Sequence, residues 1–136
     1  MSASEGKATR QAGFKCSDST ISAYRFVTVD ASNSTAAETV VALAGAGELA
    51  LGVTYESTAA ADRTVGVNLE GVCFLEVDGS GTAIAAGDRL KSDADGMGVK
   101  SAADGEEYGA IALAASSADG DVIPVMIARG TQSVPA

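Results

Sequence analysis

Short runs of Val, Ile, Leu, Phe and Met alternate with polar residues and are broken every few positions by Asp-Gly or Gly-Asp. The pattern is clearest from Gly71 to Gly130, where GVCFLEV, GDRLKSD, GMGVKSA, YGAIALAA and DVIPVMIARG follow one another. Asp-Gly supplies the positive φ that hairpin turns demand, and no apolar run is long enough for a three-turn helix. In TVGVNLE, Val65, Val67 and Leu69 share one face. In VIPVMIA, Ile123, Val125 and Ile127 do. The spacing predicts strands over Arg25–Asp30, Thr39–Ala44, Glu48–Glu56, Thr64–Glu70, Val72–Val77, Asp88–Ser92, Met97–Ser101, Tyr108–Ala115 and Val122–Ala128. Pro124 has no amide hydrogen, so an edge or a bulge is expected there. The fold class is therefore all-β: a single small barrel or sandwich built from a meander of short strands.

The organisation expected along the chain is an extended N-terminal arm over residues 1–20, a β-domain over 21–130 and a flexible tail over 131–136. The arm is rich in Ser, Ala, Gly, Lys and Thr and shows almost no periodicity, so it is read as unstructured unless a partner holds it. AAAD and TAAE have helix-friendly composition but are too short to stand alone. The two halves of the β-domain also align with each other, setting Gly52 against Gly109, Asp62 against Asp119, Val67 against Val125 and Gly71 against Gly130. Either an internal duplication or the regularity of any β-meander accounts for that.

Composition changes the picture in two ways. Aromatic residues make up 4% of the 136 residues and Trp is absent, so a core of Ala, Gly and Val removes little apolar area per residue. Part of the stability is then expected from neighbouring subunits. The net charge is −9, yet residues 1–16 hold Lys7, Arg10 and Lys15 against Glu5, which leaves −11 on the rest of the chain. An acidic body of this kind repels phosphates, so no nucleic-acid partner is expected. No apolar leader or long uncharged apolar run is present, so neither secretion nor a membrane partner is indicated.

The chemistry-bearing residues point away from catalysis. The chain has no histidine, which removes Ser-His and Cys-His nucleophiles and His-based zinc sites. Cys16 and Cys73 are read as free thiols in separate elements. Gly45-Ala46-Gly47-Glu48-Leu49-Ala50 matches a loose dinucleotide fingerprint, but the alternating ELALGVTYES that follows is not the helix such a site requires. No P-loop is present. Asp93, Asp95, Glu106, Glu107, Asp119 and Asp121 read as solvated turn acids, without the spacing of a calcium loop or an aromatic sugar platform. No catalytic residue, cofactor or metal is expected, and the protein is read as a non-enzyme.

Several of these pieces resemble a known family. The V-x-V-x-L-x-G-V strand, Ala86-Gly87-Asp88-Arg89-Leu90, the D-A-D-G turn, Gly109 with its Ala-rich strand, and Ile123–Ile127 resemble the small cement, or head decoration, proteins of tailed bacteriophages. The resemblance runs from about Ile21 to Gly130 and rests on scaffold features. It implies a non-enzymatic virion protein, made in the host bacterial cytoplasm, that binds the outer surface of the head and stabilises the shell. Its implied partner is the major capsid protein, whose neighbouring subunits it clamps as a homotrimer. The arm supplies the expected capsid contacts, Lys7, Arg10, Phe14 and Lys15, with Phe14 as the large apolar anchor. The competing reading is a small β-barrel binding module of a phage tail or surface adhesin.

Overall fold

The computed structural model describes residues 8–18, 20–58 and 63–133. They form β1 (Ala8–Cys16), β2 (Phe26–Val29), β3 (Val40–Leu43), β4 (Gly52–Thr54), β5 (Thr64–Asp78), β6 (Arg89–Ser92), β7 (Gly98–Lys100), β8 (Glu107–Ala112) and β9 (Asp119–Thr131). Among the described residues there is no helix. The all-β expectation is borne out.

Hydrogen bonding runs in the order β1-β3-β2-β4-β5-β7-β6-β8-β9, with β1–β5 and β5–β9 pairings in addition. These extra pairings close two five-stranded rings that share β5. In the first ring the first strand, β1, lies parallel to the third, β3, and the second and third form a hairpin. The second then pairs with the fourth, and the fifth with both the fourth and the first. The second ring repeats each relationship with β5, β6, β7, β8 and β9 in those places. Closure is slight at the parallel contacts, Lys15 and Cys16 beside Val40 and Val41 in one ring and Val77 beside Gly98 in the other. The duplicated topology is thus present. Gly52 and Gly109 lie in the fourth strands, and Val67 and Val125 are buried in the fifth; Asp62 lies outside the described residues.

The long β5 explains how one strand serves both rings. Its odd-numbered residues Val65, Val67, Cys73, Leu75 and Val77 are all buried. β1 accompanies it as far as Gly71, and β9 takes over from Val72. At the handover Gly71 has φ +90°, a left-handed conformation natural to glycine. The expected break at Gly71 is therefore a change of partner inside one continuous strand.

Each ring has its own core. Cys16, Ile21, Val27, Val41, Val65 and Val67 fill the first. Cys73, Leu75, Val77, Leu90, Ala110, Ala112, Ile123 and Val125 form the second, which extends to Phe26, Ala44, Ala50 and Val53 of the first ring's outer surface. The two rings are joined by apolar packing as well as by β5.

Two local expectations are refined. No register shift occurs at Pro124, which stands opposite Phe74. Its carbonyl accepts from Leu113 N–H at 3.0 Å, just past the last β8–β9 pair; the return bond to the Leu113 carbonyl is the one proline cannot make, so the β8–β9 ladder ends there. The GAGELA stretch is a turn between β3 and β4, where Gly45 N–H donates to Glu48 Oε1 at 2.6 Å and Gly47 has φ +71°.

Candidate functional site

The sequence places its candidate contacts in the first sixteen residues, and the described part of that stretch is a paired strand. β1 runs antiparallel to β5 from Ala8↔Gly71 to Lys15↔Thr64. The reason is an alternation of short period. Gln11, Gly13 and Lys15 take one side, while Ala12, Phe14 and Cys16 turn toward the first core. The arm is held by its own chain.

Arg10 is exposed and lies opposite Glu70, between two register irregularities. Phe14 is half-buried and packs against the Cys16–Val67 core, so much of its apolar surface is already used within the barrel. Lys15 Nζ lies 3.6 Å from Glu38 Oε1, both side chains substantially exposed, a contact worth at most about 1 kcal/mol. Lys7 lies outside the described residues.

Phe14 and Lys15 come together at one open groove of about 480 Å³, floored by Gly13 and Thr64 and walled by Ala37, Glu38 and Thr39. Arg10 lies beyond it along the strand. The ends of the groove are held by polar ties. Gln11 Nε2 donates to the buried Asn68 Oδ1 at 2.8 Å. Ser17 Oγ donates to Asp30 Oδ2 at 2.7 Å, and Asn33 Nδ2 donates to the same oxygen at 2.8 Å. These bonds, Ser17 first, lower the Asp30 pKa below the ordinary carboxylate value. Sequence reasoning missed Gln11, Gly13 and the 37–39 wall. The polar-apolar alternation of Gln11–Cys16 was the available signal.

Several of the acids elsewhere are engaged in turns or with neighbouring side chains. Asp93 Oδ1 accepts from the Asp95 and Met97 amides, and Glu106 Oε1 from those of Ala102 and Ala103. Lys91 Nζ pairs with Glu106 Oε2, and Ser116 Oγ donates to Asp121 Oδ2 at 2.8 Å. Among the described residues, no three His, Cys, Asp or Glu side chains gather in a metal-binding group. Cys16 and Cys73 are free thiols, each buried in a different core. Apolar side chains do reach the surface on the outer side of β9, where Val122 and Met126 are exposed and Leu113 stands beside Pro124.

The profile of the phage cement protein family matches residues 21–127. This chain belongs to the phage cement protein family. The cement protein is also similar in structure to the N base of the head fiber gp8.5 of bacteriophage phi29. That match has a TM-score of 0.68 and 17% identity, covering 92% of this chain and 98% of the other. At such identity the likeness concerns the fold. No curated protein matches the cement protein in sequence.

Proposed function

We propose that this cement protein binds the outer surface of a phage head and clamps neighbouring major capsid protein subunits, stabilising the shell. The family match over residues 21–127 carries this reading. A clamp that binds only the assembled lattice stabilises it by mass action. The stretch 1–20, whose strand β1 is built into the first ring, is its head-facing element, with Lys7, Arg10, Phe14 and Lys15 as contacts, and the rest of the double barrel is the body. The charge division supports this assignment, because the net −11 beyond residue 16 keeps the body away from other acidic surfaces. Phe14 contributes by fixing β1 on the barrel and by the part of its surface that lines the groove.

The working unit is a homotrimer at three-fold positions of the lattice. Its support is the scarcity of large side chains in the two cores and the exposed Leu113, Val122 and Met126, which a neighbouring copy would cover. Three weak contacts on one body give a tight complex through effective concentration.

Co-sedimentation of the purified protein with undecorated heads of its phage tests both statements. Saturation near one trimer per three-fold site is expected. Failure of a folded protein to bind at any ratio would sink the reading. Removing residues 1–15 is not a clean variant, since it takes β1 out of the first ring; substitutions at Arg10 and Lys15 leave the strand in place.

A further inference from the structure

β1 is longer than its contact with β3. Pairing to β5 covers Ala8–Lys15, whereas pairing to β3 involves Lys15 and Cys16. Among the described residues, no strand lies along the other side of Ala8–Phe14. Two sets of hydrogen bonds fix which backbone groups face that open side. Cys16 N–H donates to the Arg63 carbonyl at 3.0 Å, so the residues in phase with it, Phe14 and Ala12, turn toward β5. Gly66, opposite Gly13, donates its N–H to Glu56 Oε1 at 2.8 Å and accepts from Tyr55 N–H at 3.1 Å, away from β1. Gly13 and Gly66 therefore form a non-hydrogen-bonded pair. The N–H and C=O groups of Gln11 and Gly13 point out of the ring.

An open strand edge is a template for another strand. Here it borders the groove formed where Ala37, Glu38 and Thr39 diverge from β1 just before Val40. Charge selects the occupant. β1 carries Arg10 and Lys15 and no acidic residue, so a second copy of β1 would set like charges against each other. The opposing Glu70 and Glu38 lie at exposed rims, where an acidic newcomer competes on even terms.

We propose that the Gln11–Gly13 edge of β1 accepts an extended acidic segment of a head subunit as an added strand. Backbone hydrogen bonds supply the affinity, and Arg10 selects for acidic side chains. This inference rests on the head-binding reading and gives it a mode and a partner chemistry.

The test compares the wild type, Gln11→Ala and Gln11→Pro for binding to undecorated heads, with amide hydrogen exchange on the decorated ones. Gln11→Ala keeps the outward N–H and loses the bond to Asn68; Gln11→Pro loses both. Binding is expected to fall about ten-fold or more between the two, the effect of leaving one buried polar group unpaired. In the wild type, the Gln11 and Gly13 amides should exchange more slowly on heads than in the free protein, which decides the matter even if Gln11→Pro does not fold. Arg10→Glu should weaken binding further. Equal binding by the two Gln11 variants, or unchanged exchange on saturated heads, overturns the added strand while leaving head binding intact. Unaffected binding by Arg10→Glu overturns the acidic partner. Concentration-dependent protection of these amides in the free protein assigns the edge to a second copy instead. If the wild type does not bind heads, the head-binding reading falls and this proposal with it.

Discussion

Gly109 of β8 makes room for the ring of Phe26 of β2: a Cβ at position 109 would stand 2.9 Å from Phe26 Cε1 and 2.9 Å from Ala50 Cβ. Phe26 is fully buried, yet it belongs to the core of the ring that its own strand does not form. The pair is thus a joint between the two barrels. Gly109→Ala should destabilise the protein by about 1–3 kcal/mol through overpacking. Phe26→Ala should cost about 3–5 kcal/mol. In a Phe26→Leu background the Gly109→Ala penalty should shrink, because part of the clash has been removed. Denaturant unfolding measures all three, and strict additivity would show that the ring does not set the penalty.

Gly71 is the point at which β5 exchanges β1 for β9, and its φ of +90° is what a side chain resists. Gly71→Ala should cost about 1–2 kcal/mol, the steric price of a left-handed residue. Gly81 provides the contrast, since nothing lies within 4 Å of a Cβ there and its φ is not left-handed. Gly81→Ala should be neutral or slightly stabilising, by reducing the freedom of the unfolded chain. Thermal melts of the two variants should therefore move in different directions or by clearly different amounts. Equal shifts would remove the special role of Gly71.

The pattern of the sequence held most of this architecture. The nine expected strands all fall on observed ones, because alternation such as Val65-Val67 and Ile123-Val125 is imposed by a buried face and survives in the sequence. Thr64–Glu70 and Val72–Val77 merge into one strand, since inward parity is kept through Gly71 and a turn glycine looks the same as a kink glycine in sequence. β1 was not legible as a strand. Its inward face is Ala12, Phe14 and Cys16 and its outward face Gln11, Gly13 and Lys15, too short and too small a pattern to distinguish from a linker. The groove was hidden for a further reason: Gly13 and Glu38 meet through a parallel contact between strands distant in sequence.

Cys73 reports on the second core. Burial pushes its thiol up to about 12, against a smaller opposing effect of the Asn68 side chain. A maleimide at pH 8 should label neither Cys73 nor the buried Cys16 in the folded protein, and both after denaturation. Linkage gives the sign of the pH effect. Between about pH 9 and 12 the unfolded thiol releases its proton while the folded one keeps it, so stability falls as pH rises through that window. Other groups titrate there as well, so the measurement is a difference: Cys73→Ala should flatten the alkaline slope relative to wild type. An unchanged slope, or rapid labelling of Cys73 in the native protein, would place the thiol nearer to water than this packing has it.

Ser17 and Asp30 clasp the place where the chain leaves β1, and their hydrogen bond tests whether that clasp persists in solution. Asp30 is partly exposed, and its lowered pKa comes from the donors aimed at its carboxylate, Ser17 first and Asn33 second, which outweigh a smaller opposing effect of burial. A depressed carboxylate stabilises the fold above its unfolded pKa and loses that contribution as pH falls through the folded value, so the clasp weakens only on the acid side. Ser17→Ala removes the main donor and should raise the Asp30 pKa toward the ordinary range, read by NMR titration of its carboxyl carbon. Asn33→Ala should raise it less. The order matters because Ser17 lies immediately past Cys16, where β1 meets β3, and its amide also donates to the Val41 carbonyl at 3.0 Å. If Ser17→Ala leaves the Asp30 titration unchanged, the closing contact of the first ring stands without the clasp, and the groove beside it is held by β-pairing alone.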